Sequence, residues 1–149
     1  MSLFEQVSKD IVAAMKAKDK VRLEALRNIK KVFIEAKTAP GANDELSDEA
    51  ALKIITKLSK QGRDAEALYK AKGREDLAAE EAAQAAVIEG YLPKQLSAEE
   101  LDAELKAIIA KIGATSIKEM GKVMGTASKK LAGKADGKAI ADAVKRLLA

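Results

Sequence analysis

The chain has 149 residues, 48% of them hydrophobic, with two Phe, two Tyr and no Trp. Its core must therefore be built from Ala, Leu, Ile, Val and Met, which suits close helix packing and suits a β-sandwich poorly. It contains neither Cys nor His, which removes disulfides, thiolate nucleophiles, cysteine-ligated zinc and the side chain that most readily exchanges protons near neutral pH. The formal net charge of +4 is uneven: residues 1–96 carry 17 basic and 16 acidic side chains, whereas residues 113–149 carry 8 and 3. Such an excess in a short segment attracts polyanions, nucleic acid first and anionic membrane second.

Ser2-Leu3-Phe4-Glu5 reads as a capping box that opens a helix with Phe4, Val7, Ile11 and Ala14 on one stripe. Asp19 caps a second helix, which turns Leu23, Leu26, Ile29 and Phe33 inward and stops before Pro40-Gly41. After a polar connection, Ser47 caps a long helix bearing Ala51, Ile54, Ile55, Leu58, Ala65 and Leu68 on its inner face, with Gly73 as its stop. A helix rich in Ala and Glu is expected from about Glu75 to Glu89, ending at Gly90.

Tyr91-Leu92-Pro93 interrupts the helical period, because proline lacks an amide and pushes its predecessor out of the α region, and the domain boundary is placed there. Ser97-Ala98-Glu99-Glu100 is a second capping box, followed by Leu101, Leu105, Ile108 and Ile112 and a stop at Gly113. Two more helices are expected. One runs from about Ser116 to Leu131 with Met120, Met124, Ala127 and Leu131 inward, the other from about Gly137 to the end with Ile140, Val144 and Leu147 inward. No segment alternates like a strand. The expected fold class is all-α, with about four helices over residues 1–93 and three over residues 94–149.

The first residues lack the basic-then-apolar pattern of a signal peptide, and no apolar stretch is long enough to span a bilayer, so a cytoplasmic location without membrane contact is expected. Gly133-Lys134-Ala135-Asp136-Gly137-Lys138 differs from a phosphate loop: three residues separate its glycines, Ala139 follows the lysine, and a helix precedes it. A turn, with Gly133 past one helix end and Asp136 capping the next, is the simpler reading. Gly121 and Gly125 share a helix face, which fits close packing of two helices, a smooth surface for a nucleic-acid backbone, or both together.

The basic set of the tail is Lys118, Lys122, Lys129, Lys130, Lys134, Lys138, Lys145 and Arg146, and it has no aromatic residue among it for base stacking. RNA held there would be gripped by backbone and shape. Lys20, Arg22, Arg27, Lys30 and Lys31 form a second basic strip. Adjacent acids such as Glu80/Glu81 and Glu99/Glu100 point in different directions on a helix, and the serines have no histidine to activate them. No catalytic residue, metal site or cofactor is expected.

Gly73-Arg-Glu-Asp-Leu77, Tyr91-Leu-Pro-Lys-Gln-Leu-Ser97, Met120-Gly-Lys-Val-Met-Gly125 and Ala135-Asp-Gly-Lys138, in this order, resemble the YqeY family over nearly the whole chain. That family is similar to the C-terminal region of GatB, the tRNA-holding subunit of the glutamine-dependent amidotransferase, and similar domains are fused to some glutaminyl-tRNA synthetases. The resemblance implies a three-helix tail like that of GatB and a tRNA-binding accessory role. Its partners would be tRNA, contacted with low sequence specificity, and an aminoacyl-tRNA synthetase or amidotransferase component. The family-level label is that of a carbon–nitrogen ligase using glutamine as amide donor. The tRNA contacts carried over are Gly121, Lys122, Gly125, Lys129, Lys130, Lys134 and Lys138. Two other readings stand beside this one: a protein-interaction adaptor that never meets nucleic acid, and an amidotransferase-like enzyme component.

Overall fold

A computed structural model describes residues Met1–Ala149 and is all-helical. Its α-helices are α1 (Leu3–Ala17), α2 (Lys20–Lys37), α3 (Asp48–Ala71), α4 (Glu75–Glu89), α5 (Ala98–Ile112), α6 (Met120–Lys130) and α7 (Gly137–Leu148), with a 3-10 turn at Ile117–Glu119 before α6. The chain divides into two compact units, Met1–Leu92 and Pro93–Ala149.

Most helix starts follow from local chemistry. The Ser2/Glu5 and Ser97/Glu100 capping boxes are both formed, each side chain satisfying an amide that has no partner within the helix. Asp19, Ser47 and Asp136 each accept from the amide three residues on, at 3.1, 3.1 and 2.7 Å. Among helix ends, α5 closes on Gly113 in the left-handed region at φ +79°. Gly90 behaves differently: it follows α4 in a right-handed conformation at φ −61°. The stop there comes from the Tyr91-Leu92-Pro93 segment beyond it and needs no left-handed glycine.

In the first unit, Val7, Ala14, Ala25, Leu26, Ile29, Phe33, Ala51, Ile55 and Ile88 form the buried core. The Phe4 and Phe33 rings lie 6.5 Å apart, and the Lys37 ammonium sits 4.1 Å from the Phe4 centroid. Helices α3 and α4 approach closely where Gly62 faces Ala85, and a methyl at Gly62 would stand 3.2 Å from the Ala85 Cβ. Beside this contact Arg63 grips Glu89 bidentately, at 3.0 and 2.6 Å, and Ser59 donates to the same carboxylate at 2.9 Å. The guanidinium holds the Glu89 carboxyl below its ordinary range. Tyr91 Oη donates to Asp10, and burial followed by that bond pushes the phenol up.

The expected inner face of α3 is wrong at its far end. Leu68 is 54% exposed. The core draws Ala51, Ile54, Ile55 and Leu58 from this helix, and all its buried residues lie in its first half. Beyond that point the helix packs on α4, and the side bearing Leu68 has no helix over it.

In the second unit, α5, α6 and α7 enclose Leu101, Leu105, Ile108, Ala114, Val123, Ala127, Leu131, Ile140, Ala143, Val144 and Leu148. Here too the expected stripes rotate slightly. Val123 is fully buried while Met120 and Met124 are half-buried flanks, and Leu148 is buried in place of Leu147. The start of α6 is also later than expected. Residues 117–119 form a 3-10 turn, and the Glu119 carboxylate accepts from the Thr115 amide.

Candidate nucleic-acid interface

The whole net charge of the chain belongs to the second unit: Met1–Leu92 carries 16 basic and 16 acidic side chains, and Pro93–Ala149 carries 11 and 7. Within that unit α6 is two-faced. Val123, Ala127 and the cap residue Leu131 go to the core. The opposite face presents Gly121, Lys122, Gly125, Thr126, Lys129 and Lys130, spaced so that all six share one side of the helix. They line an open groove of about 570 Å³.

The glycines decide what this groove is. A Cβ built at Gly121 or Gly125 would meet nothing within 4 Å. Close packing of two helices, one of the two readings of this pair, is therefore not their use inside the unit. A glycine inside a helix costs roughly 0.5–1 kcal/mol relative to alanine. That cost returns no contact within the unit; what it leaves is a bare stretch of backbone among lysines, which a bulky polymer can approach.

The charges around it are mostly uncompensated. Lys122 and Lys129 form no ion pair, and Lys130 stands 3.9 Å from Glu104 on α5, a loose and solvent-exposed pairing. Of the seven residues anticipated as RNA contacts, Gly121, Lys122, Gly125, Lys129 and Lys130 are thus brought together. Lys134 is not among them. It lines a separate groove with Gln95, Asp102, Asp136, Asp142 and Arg146, where Arg146 binds Asp102 at 2.6 Å. Lys138 is exposed near the start of α7 and lines neither groove.

The Gly133–Lys138 segment is a structural turn. Gly133 is buried with φ +76°, Asp136 occupies the Ala139 amide, and the turn's carbonyls are bound from upstream. Gln95 Nε2 donates to the Gly133 carbonyl and the Leu96 amide to the Lys134 carbonyl at 2.9 Å. Gln95 and Leu96 of one sequence motif therefore brace the turn at Gly133 and Lys134, immediately before the Ala135–Lys138 motif.

Thr126 and Glu104 are the site residues that sequence reasoning missed. The signal for Thr126 was present: it lies four residues after Lys122 and three before Lys129, which puts all three on one helical face. Glu104 belongs to another helix and no spacing could reveal it. In the first unit, Lys20, Arg27 and Lys31 of the second basic strip are exposed, but Lys30 is half-buried and lies 5.8 Å over the Phe4 ring. Part of that strip therefore packs against an aromatic ring.

Fold and surface define an all-helical protein of two units whose positive charge is gathered on the second. The chain belongs to the YqeY family: the model of that family, described as Yqey-like protein, matches residues 4–148. No curated protein matches it. No helix is long and apolar enough to cross a membrane.

Proposed function

We propose that the chain is a tRNA-binding accessory protein that holds RNA by its phosphate backbone and positions it for a partner enzyme. The observation that carries this reading is the α6 groove, in which Lys122, Lys129 and Lys130 surround two glycines that pack against nothing. Ammonium groups with no acidic partner, as at Lys122 and Lys129, or with only a loose one, as at Lys130, attract phosphate, and bare glycine backbone lets a polymer come close. The absence of any aromatic residue from Pro93–Ala149 favours backbone over base recognition. The likeness of the second unit to the GatB tail supplies the choice of tRNA and the link to glutamine-dependent amide transfer. In that setting the chain positions tRNA, and a component of a synthetase or amidotransferase performs the chemistry.

Affinity for bulk tRNA measured across salt concentrations tests this. Phosphate contacts to the groove's lysines should make log K fall by about 0.7–0.9 per contact for each decade of salt. Lys122→Glu/Lys129→Glu should abolish most binding while leaving the helical signal unchanged. No binding at low salt, or unaltered binding by that variant, would refute the reading.

A second reading, a protein-interaction adaptor, draws on the exposed apolar side chains of the first unit, Val12, Met15, Val21, Ile34 and Leu68. A purified partner that binds after nuclease treatment, together with a wild-type chain indifferent to tRNA, would favour it.

A further inference from the structure

The α6 groove holds one neutral hydrogen-bonding side chain among its lysines and glycines, that of Thr126. Threonines inside helices commonly turn their hydroxyl back onto the carbonyl four residues earlier. Two others in this chain do so: Thr56 donates to the Leu52 carbonyl at 2.8 Å, and Thr38, at the end of α2, to the Ile34 carbonyl at 2.8 Å. Thr126 makes no hydrogen bond within the chain, and it is exposed. Its hydroxyl is free both to donate and to accept.

We propose that Thr126 lets this groove distinguish duplex RNA from DNA by hydrogen-bonding a ribose 2′-hydroxyl. The inference rests on the backbone-gripping role assigned to α6 above. Lysine ammonium groups serve phosphates, which RNA and DNA share, so charge alone gives no sugar preference. The 2′-hydroxyl is the group that separates the two polymers, and A-form duplexes display it along a wide, shallow minor groove. Thr126 is placed for such a contact. Gly121 and Gly125 clear the space beside it, Lys122 lies one turn before it, and Lys129 and Lys130 lie one turn after. From Lys122 to Lys130 the helix rises about 12 Å, so a sugar over the glycines has ammonium groups towards both ends of the groove. Lysine cannot accept a hydrogen bond, whereas the threonine hydroxyl can take the 2′-hydroxyl proton or give its own.

The test compares a short RNA duplex with the same duplex carrying fluorine at every 2′ position, which keeps the A-form geometry and the phosphate charge but removes the hydroxyl. Wild type should bind the RNA about two- to tenfold more tightly, the range of one net hydrogen bond. Thr126→Val, nearly the same shape, should bind both duplexes equally and at the wild-type affinity for the fluorinated one, whereas Thr126→Ser should keep the preference. Far-UV circular dichroism confirms that each variant folds. A wild type indifferent to the 2′ group, or a Thr126→Val variant that retains the preference, overturns the proposal while leaving lysine-dependent binding intact. Binding of both duplexes that is insensitive to Lys122→Glu/Lys129→Glu overturns the groove assignment itself, and this inference with it.

Discussion

Replacing Gly121 and Gly125 by alanine should make the protein more stable and worse at holding RNA. Neither glycine has a positive φ, and a methyl group at either position meets nothing within 4 Å. Alanine is thus free to collect its helix-propensity advantage, about 1 kcal/mol at the interior Gly125 and about 0.5 kcal/mol at Gly121 in the first turn. The double variant should gain about 1.5 kcal/mol, which raises the melting temperature by roughly 6–12 °C if the small unit Pro93–Ala149 melts by itself and by roughly 3–6 °C if the whole chain melts as one. The same two methyls stand on the floor of the lysine groove and keep a polymer backbone at a distance, so affinity for tRNA should fall about three- to tenfold, or roughly 1 kcal/mol. Calorimetry and circular-dichroism melts report the first quantity, and fluorescence titration with tRNA reports the second. A lower melting temperature would mean that the glycines are packed after all. Higher stability with unchanged affinity would mean that RNA does not touch this face.

Three further outcomes are expected. Because Arg63 holds the Glu89 carboxyl below its ordinary value of 4.5, the pair's stabilisation is present above about that pH and fades as pH falls through the depressed value. Glu89→Gln should therefore flatten the acid limb of a stability profile, by less than about 1 kcal/mol since both side chains are partly solvated, and an unchanged acid limb would contradict the assignment. Gly62→Val forces a branched side chain against Ala85, whose Cβ would already be 3.2 Å from the first added carbon; urea denaturation should show a loss of about 1–3 kcal/mol, and no loss would mean that α3 and α4 are not in close contact. Asp136→Ala removes the cap on α7 and should cost about 1 kcal/mol in the same assay, whereas a neutral result would show that the Ala139 amide finds another partner.

Much of this architecture was legible in the sequence because it is local chemistry. A serine three residues before a glutamate writes a capping box whatever surrounds it, and Ser2/Glu5 and Ser97/Glu100 form as expected. Gly133 and Asp136 likewise announce a turn and a cap, and the fold class follows from helical period and composition. The basic excess of the tail needed nothing beyond a count of charges.

Tertiary structure decided which members of that charged set lie together. The family resemblance puts Lys122, Lys129, Lys130, Lys134 and Lys138 in one set, but the turn after α6 carries Lys134 to a groove shared with three aspartates and leaves Lys138 outside both. The two uses open to Gly121 and Gly125, packing or exposure, differ in whether another helix lies over them, which depends on how α5 and α7 cross α6. Leu68 looked internal for the same reason: helical period says which side of α3 a residue takes, and only the packed helices say where the cover ends. Periodicity is a property of one helix, whereas burial, charge pairing and open surface belong to the spaces between helices.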